Sequence, residues 1–472
     1  MARDWRDDRI EELEAVVRAQ QATIEAQQAT IAKLEARICE LEARLARNSR
    51  NSSQPPSTDP PSAPPPAPPK RTGRKRGGQP GHPRYVRTLV PPEQVTRTQA
   101  LKPSVCRRCG KNLVGDDPTP YRHQVIDIPK VAATVDEYQL HALLCKDCGI
   151  TTRAQVPVGV PTSQFGPRLQ AMVALCSGDY RMSKREIERL VEDFFDLPIA
   201  LGSISNLEQT TSKAIAEPVQ EVAEAIAKEP VVHADETGWY ERSQRAWLWG
   251  AVAGIMALFL IRANRGAKAA KELLGAAFAG ILVTDRWSAY AWVDVARRQL
   301  CWAHLLRQFR GFQELGAEAA KVGRALELLT ETMFHCWHGV RAGTLSRTAF
   351  QELIIPLRAQ VVGWLQDGQL CSVRKVAGRC HEILELEPAL WTFVHTDGVE
   401  PTNNAAEQIL RKGVLWRKGS FGTDSPNGSR FVERILTVVT TLRLQKRNVL
   451  DYITAACQAS LHSRPAPSLL PA

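Results

Sequence analysis

The stretch Val231-Val232-His233-Ala234-Asp235-Glu236-Thr237-Gly238-Trp239 constrains the fold of this chain more than any other. An apolar run that ends in a carboxylate reads as a buried strand delivering charge to the end of a sheet. Gly280-Ile281-Leu282-Val283-Thr284-Asp285 repeats the plan. A third acid, Glu407, follows in Pro401-Thr402-Asn403-Asn404-Ala405-Ala406-Glu407, where Thr402 or Asn403 can cap a helix and Glu407 falls in its first turn. Three carboxylates offer hard oxygen ligands, which suit two magnesium ions, with manganese as a substitute. Such a pair stabilises both the attacking and the leaving oxygen of a phosphodiester. The expected chemistry is therefore metal-dependent cutting and joining of nucleic acid at Asp235, Asp285 and Glu407. Any one of these residues alone would more often be a turn cap; the ordered trio points to catalysis. Glu400 flanks the same helix start and is the rival to Glu407. Glu236 alternates to the face opposite Asp235 and is expected to lie outside the site.

Around these acids the pattern predicts strands at Val231–Ala234, Ala246–Ala253 and Ala257–Ile261, a helix at Ala267–Leu274 and a fourth strand at Ile281–Thr284. A β-β-β-α-β order with acids after the first and fourth strands is what a ribonuclease-H-like α/β catalytic core demands. That core is assigned to 229–312 and 392–445, interrupted by a helical insertion at 313–391 that shapes the substrate channel and followed by a C-terminal helix and tail at 446–472. No Walker loop and no Ser/His triad is present. Cys301 and His304 form a CxxH without a second pair, so a structural or DNA-positioning role is expected for them, together with Arg307. Arg411, Lys412, Arg417 and Lys418 combine with Trp416 and Phe421 in a predicted phosphate- and base-binding clamp beside the site.

The N-terminal third is organised differently. Ile10, Val17, Ile24, Ile31, Ile38 and Leu45 fall at heptad a, and Leu13, Gln20, Gln27, Leu34 and Leu41 at d, which predicts a parallel coiled-coil dimerisation arm over 1–47. A Pro-rich linker and basic arm fill 48–87, with Arg74, Lys75 and Arg76 expected on a phosphate backbone. Cys106, Cys109, Cys145 and Cys148 sit in two CxxCG knuckles, a tetrahedral thiolate set for structural zinc, in a zinc-binding domain at 88–162 with a sheet inserted over Tyr121–Leu144. Paired knuckles among 11 cysteines imply a reducing compartment rather than a disulfide framework. Residues 163–228 read as a helix-turn-helix-like DNA-binding region with Ser203 capping its third helix. The excess of 61 basic over 50 acidic residues favours a polyanionic partner. Hydrophobic residues make up 44% of the chain, which excludes a wholly disordered protein. The N-terminus lacks an apolar signal core, and the uncharged run Ala246–Ile261 is too short for a membrane span and is punctuated by Gly250 and Gly254. A soluble, cytoplasmic, nucleoid-associated protein with no membrane partner is expected.

The ordered set of motifs resembles a bacterial insertion-sequence transposase of the DDE class, family sixty-six in the usual insertion-sequence numbering. The likeness runs through the heptad arm, Asn51-Ser52-Ser53, Gly77-Gly78-Gln79-Pro80-Gly81-His82, both CxxCG knuckles, Asp235-Glu236-Thr237, Asp285 with Tyr290, Cys301 with His304 and Arg307, and Asn403-Asn404-Ala405-Ala406-Glu407. Gly419 stands where the family pattern leads one to expect Asn. The resemblance implies 3′-strand cleavage at element ends and strand transfer into target DNA, with Asp235, Asp285 and Glu407 as catalytic acids. It also implies a homodimer or higher oligomer and small accessory proteins encoded by the same element. The competing readings are a DNA-binding regulator or inactive remnant that binds DNA without catalysis, and a stand-alone nuclease without strand transfer.

Overall fold

The structure is a computed structural model that describes residues 5–45 and 87–471. The linker and the basic arm, including Arg74, Lys75 and Arg76, lie outside the described residues. Helix α1 (Trp5–Leu45) runs 41 residues, about 62 Å at 1.5 Å per residue. Every side chain described on it is exposed, the heptad residues Leu13, Ile24, Ile31 and Leu41 among them. Among the described residues the apolar seam covers nothing, so it gives the helix no tertiary support there.

The described part of Pro64–Val135, with Phe194–Asp196, forms one compact unit and the remainder a second. In the first, regular structure is confined to a 3₁₀ turn at Pro92–Gln94 and the Cys106 knuckle, closed by a bridge between Val105 and Asn112. The inserted sheet expected over Tyr121–Leu144 does not form. His123–Ile128 carries no strand, with Val125 and Ile128 exposed, and only β1 (Ala142–Leu144) pairs, antiparallel to β2 (Thr151–Arg153) around the Cys145 knuckle. β-propensity without a neighbouring strand does not make a sheet.

In the second unit α2 (Pro167–Gly178), α3 (Lys184–Phe195) and α4 (Leu201–Ala214) share a small core of Val173, Ile187, Val191, Ile204 and Leu207. The Ser183–Glu186 capping box is formed, Ser183 N–H donating to Glu186 Oε2 at 2.7 Å and Glu186 N–H to Ser183 Oγ at 3.3 Å. Ser203 is not the cap of the third helix. Extended Ala200 precedes the first turn and its carbonyl accepts Ile204 N–H at 3.1 Å, leaving Ser203 inside the helix. Helix α5 (Ala216–Ile226) leads into the sheet.

That sheet has five strands, β3 (Val231–Glu241), β4 (Gln244–Ala253), β5 (Met256–Arg262), β6 (Ile281–Thr284) and β7 (Arg298–Leu300), in the order β5-β4-β3-β6-β7. β3 to β5 form an antiparallel meander; β6 joins β3 in parallel after α6 (Ala267–Leu274), and β7 joins β6 in parallel. Ala246–Ile261 is indeed a hairpin, turning at Gly254 with φ +53°. Two sequence expectations change. β3 does not stop at Ala234: antiparallel pairing with β4 carries it to Glu241, while parallel pairing with β6 ends at His233. β7 was not anticipated, because Arg298-Gln299-Leu300 has no apolar run even though all three residues are buried.

Edge strand β5 is sealed by a helix. Helix α13 (Pro426–Leu444) presents Glu433, Thr437 and Thr441 at i, i+4 and i+8, and these accept the N–H groups of Ile261, Phe259 and Ala257 at 2.6, 3.0 and 3.0 Å. Four helical residues rise about 6 Å and two strand residues about 6.7 Å, so one stripe of side chains can serve every outward donor of the edge. On one sheet face α5, α6, α13 and α14 (Val449–Leu461) bury Val232, Ala234, Trp249 and Leu282; on the other α12 (Asn404–Ser420) covers Trp239 and Leu248. Gly413 lets α12 lie close, since a Cβ there would sit 2.1 Å from Leu248 Cδ2. Beyond β7, helices α7 (Trp302–Phe312), α8 (Ala317–Arg341), α9 (Arg347–Gln369), α10 (Arg374–Glu385) and α11 (Thr392–His395) build their own aromatic core from Trp337, Phe350, Trp391 and Phe393.

Candidate functional site

Asp235 lies in the middle of β3, where β6 has just ended and the strand faces α12. Asp285 follows β6 directly, and its Oδ1 accepts Trp287 N–H at 2.8 Å, which fixes the turn. Glu407 is the fourth residue of α12. The three elements meet at Cys301, which follows β7 and is buried. Its N–H donates to Thr284 O at 2.9 Å, and its Sγ accepts Asn403 N–H at 3.2 Å. Asn403 Nδ2 in turn donates to Ala234 O at 2.8 Å, one residue before Asp235. Asn403 occupies the helix cap position but spends its side chain on β3 instead of on the helix N–H groups.

The acids are electrostatically one cluster. Burial pushes the Asp235 carboxyl well above its ordinary range, and the charges of Glu236, Asp285 and Glu407 push the same way. Glu407 Oε1 is buried without a hydrogen-bond partner, facing His304 Nδ1 at 3.5 Å and Arg307 at 3.9 Å. These distances lie within ion-pair reach, but the geometry with His304 is not that of a hydrogen bond. Repelling, under-compensated carboxylates with an orphaned oxygen fit a divalent cation, whose charge removes the repulsion. The rival acid Glu400 accepts Trp337 Nε1–H on its Oε2 at 3.3 Å.

Glu236 turns to the other sheet face, yet it is more than a bystander. Its side chain is fully buried, with Oε2 accepting Tyr290 O–H at 2.5 Å and Oε1 paired with Arg265 at 2.6 Å. Arg265 stacks on the Trp287 ring at 3.9 Å and its carbonyl accepts Trp287 Nε1–H at 2.9 Å. The residue after Asp235 is thus locked to residues two and five places beyond Asp285. Arg298 is buried nearby with Nε and Nη2 unpartnered, its charge held against Asp285. Sequence reasoning gave Glu236, Arg265 and Arg298 no role; the only signal was charge inside otherwise apolar surroundings.

The expected clamp is helical rather than a loop, since α12 continues to Ser420. Lys412 pairs with Asp179 at 3.1 Å and Arg417 donates to Gly238 O, so both are committed within the protein. Arg411, Lys418 and Phe421 are exposed, and Phe421 adopts φ +60°.

The two knuckles fall in different compact units but share one geometry. Cys106 N–H bonds Lys111 O at 2.8 Å and Gly110 N–H bonds Cys106 O at 2.9 Å; the corresponding bonds at Cys145, to Ile150 and from Gly149, are both 2.9 Å. Gly110 and Gly149 sit at φ +70° and +71°. Backbone N–H groups of Cys109 and Cys148 draw the Cys106 and Cys145 thiols below their ordinary value, the environment of a zinc thiolate. Among the described residues no helix is long and apolar enough to cross a membrane.

Comparison with known proteins agrees with this architecture. Residues 3–88 match a family of unknown function (DUF6444). Two uncharacterized proteins of Sinorhizobium fredii, y4qI and y4hP, are 24% and 25% identical, over 84% and 75% of this chain and 76% and 70% of their own lengths. Residues 162–430, more than half of the chain, match the family described as Transposase IS66 family. The chain belongs to the IS66 family of transposases.

Proposed function

We propose that this protein is the DNA transposase of an insertion sequence, binding element ends, cleaving the 3′ strand and joining the freed end to target DNA. What supports the proposal is that Asp235, its carboxyl raised by burial, also feels the charges of Asp285 and Glu407, while the Cys301–Asn403 junction ties the Glu407 helix to the Asp235 strand. The β5-β4-β3-β6-β7 order, with an acid-bearing central strand and its parallel neighbour, supports a ribonuclease-H-like catalytic core. Two magnesium ions held by the three carboxylates would supply the charge neutralisation that phosphodiester exchange needs. The chain's own part is orientation. Asn403 holds the Glu407 helix against the Asp235 strand, and the Glu236–Tyr290 bond holds the Asp285 turn to that strand. His304 and Arg307, beside Glu407, are placed to hold the scissile strand by its phosphates.

DNA is also proposed to meet the basic arm at Arg74, Lys75 and Arg76, helices α2–α4, and Arg411 and Lys418. Lys412 and Arg417 belong to the same proposed surface, with Lys412 also paired to Asp179 and Arg417 bonded to Gly238 O. Zinc is proposed at the Cys106–Cys109 knuckle and at the Cys145–Cys148 knuckle, where it would stabilise segments whose side chains are nearly all exposed. The α1 seam fits a parallel dimer that pairs two element ends, with accessory proteins of the same element as further partners and the cytoplasm as the working compartment.

The test is Asp235→Asn. End cleavage in magnesium should fall by at least about 10³-fold, because removing a metal ligand forfeits several kcal/mol, while binding to element ends stays within a few-fold. Retained cleavage would overturn the assignment and leave the reading of a DNA-binding regulator without catalysis.

A further inference from the structure

Cys301, His304 and Glu407 bring one sulfur, one nitrogen and one oxygen donor within 4.8 Å of one another. They are the one such group among the described residues. Two of the donor atoms, His304 Nδ1 and Glu407 Oε1, are buried and lack hydrogen-bond partners, although they face each other at 3.5 Å. Each is a desolvated polar atom left uncompensated, so the pair is poised for a ligand that neither supplies to the other. Four donors placed tetrahedrally about 2.0–2.3 Å from a zinc ion lie about 3.3–3.8 Å apart, which brackets the 3.5 Å between His304 Nδ1 and Glu407 Oε1. Cys301 forms the floor, its buried Sγ accepting Asn403 N–H at 3.2 Å. The His304 and Glu407 side chains are 33% and 37% exposed, which leaves an approach from solvent.

A mixed sulfur, nitrogen and oxygen set is not what magnesium selects, since that ion keeps oxygen ligands and its own water. We propose that Cys301, His304 and Glu407 form a second, softer divalent-metal site for zinc that shares Glu407 with the magnesium centre. Binding forms one bond each from sulfur, nitrogen and oxygen; the Cys301 proton leaves to solvent, and the fourth position is taken by water. Zinc there withdraws the Glu407 carboxylate from the magnesium ions, so free zinc acts as a competitive brake on strand cleavage. Only this consequence rests on the function proposed above; the site itself does not.

The experiment titrates cobalt, whose thiolate charge-transfer absorption reports a sulfur ligand, into the full chain carrying one equivalent of zinc for the knuckles, without DNA or magnesium. One further equivalent should bind with a near-ultraviolet thiolate band. Cys301→Ser should remove the band, and His304→Ala, at a part-exposed position, should weaken binding by at least about tenfold. Asp235→Asn, outside the donor set, should keep the band even while cleavage is lost, which separates failure of this site from failure of the catalytic reading. Absence of a further equivalent in the wild-type chain, or a band that survives both the Cys301 and the His304 substitutions with circular dichroism unchanged, would overturn the proposal.

Discussion

Tyr290→Phe probes the lock between the two aspartate-bearing segments. The substitution keeps the ring, including its edge contact with Trp249 at 6.1 Å and 75°, and deletes one hydroxyl. That hydroxyl is the donor to Glu236 Oε2 at 2.5 Å, while Oε1 keeps Arg265 at 2.6 Å. Tyr290 and the Glu236 side chain are both fully buried, so water does not replace the lost donor. A hydrogen bond to a charged group contributes about 1.5–3 kcal/mol, and Arg265 continues to compensate half of the carboxylate, which puts the expected loss at about 2 kcal/mol. For a cooperative unit of more than 300 residues that corresponds to about 3 °C in Tm. Differential scanning calorimetry and denaturant melts should agree on the loss, and in a double-mutant cycle Glu236→Gln and Tyr290→Phe should couple by more than about 1 kcal/mol. End cleavage should fall more than DNA binding, because Glu236 adjoins Asp235 and Tyr290 closes the turn after Asp285. A loss below about 0.5 kcal/mol, or strictly additive substitutions, would refute the idea that these two side chains hold the segments together.

Two further outcomes test neighbouring parts of the structure. Asn403→Leu removes the buried donor to Ala234 O and should cost about 1–3 kcal/mol; cleavage should drop well beyond binding, and equal drops in both would mean that Asn403 supports only the fold. Glu433 accepts Ile261 N–H at 2.6 Å and is paired with Arg262 and Arg430, yet burial raises its carboxyl above the ordinary 4.5. An acid raised on folding contributes most stability below its unfolded value and loses that contribution as pH climbs through the folded one. The wild-type-minus-Glu433→Gln stability difference should therefore shrink as pH rises from about 4.5 toward neutrality, and a difference that stays flat or grows would contradict this sign.

What the sequence displayed and what it hid follow from the range of the interactions involved. The meander, α6, β6 and the capped helix at Ser183 were legible because apolar period and capping chemistry are local. The three acids were legible as types in order, though the path of β3 past Asp235 was not, since strand length is set by which neighbour continues to pair. β7 escaped notice because its burial comes from the helices packed beyond it rather than from its own residues. The bonds of Lys412 to Asp179 and of Arg417 to the Gly238 carbonyl join residues distant in sequence, which no local pattern displays. The Glu236–Tyr290–Arg265 lock was invisible for the same reason: each partner is an ordinary polar residue until the fold buries all three together.

The separation of Glu407 from Asp285 by a long helical block raises the question of how the two acids come to lie on the same side of the sheet's end. The hydrogen bonds at the block's two ends answer this. Trp302 N–H, on the way into the block, donates to Pro401 O at 2.9 Å on the way out, and Cys301 Sγ accepts Asn403 N–H. The chain leaves and returns at one point, while the block between closes its own core around Trp337, Phe350 and Phe393. Loop-closure entropy grows only logarithmically with length, about 0.6 kcal/mol per doubling, and a block that folds on itself costs the site still less. The position of Glu407 therefore depends on the junction at Cys301 and Asn403 and not on the length of what lies between. Insertions within the block should be tolerated where substitutions at that junction are not.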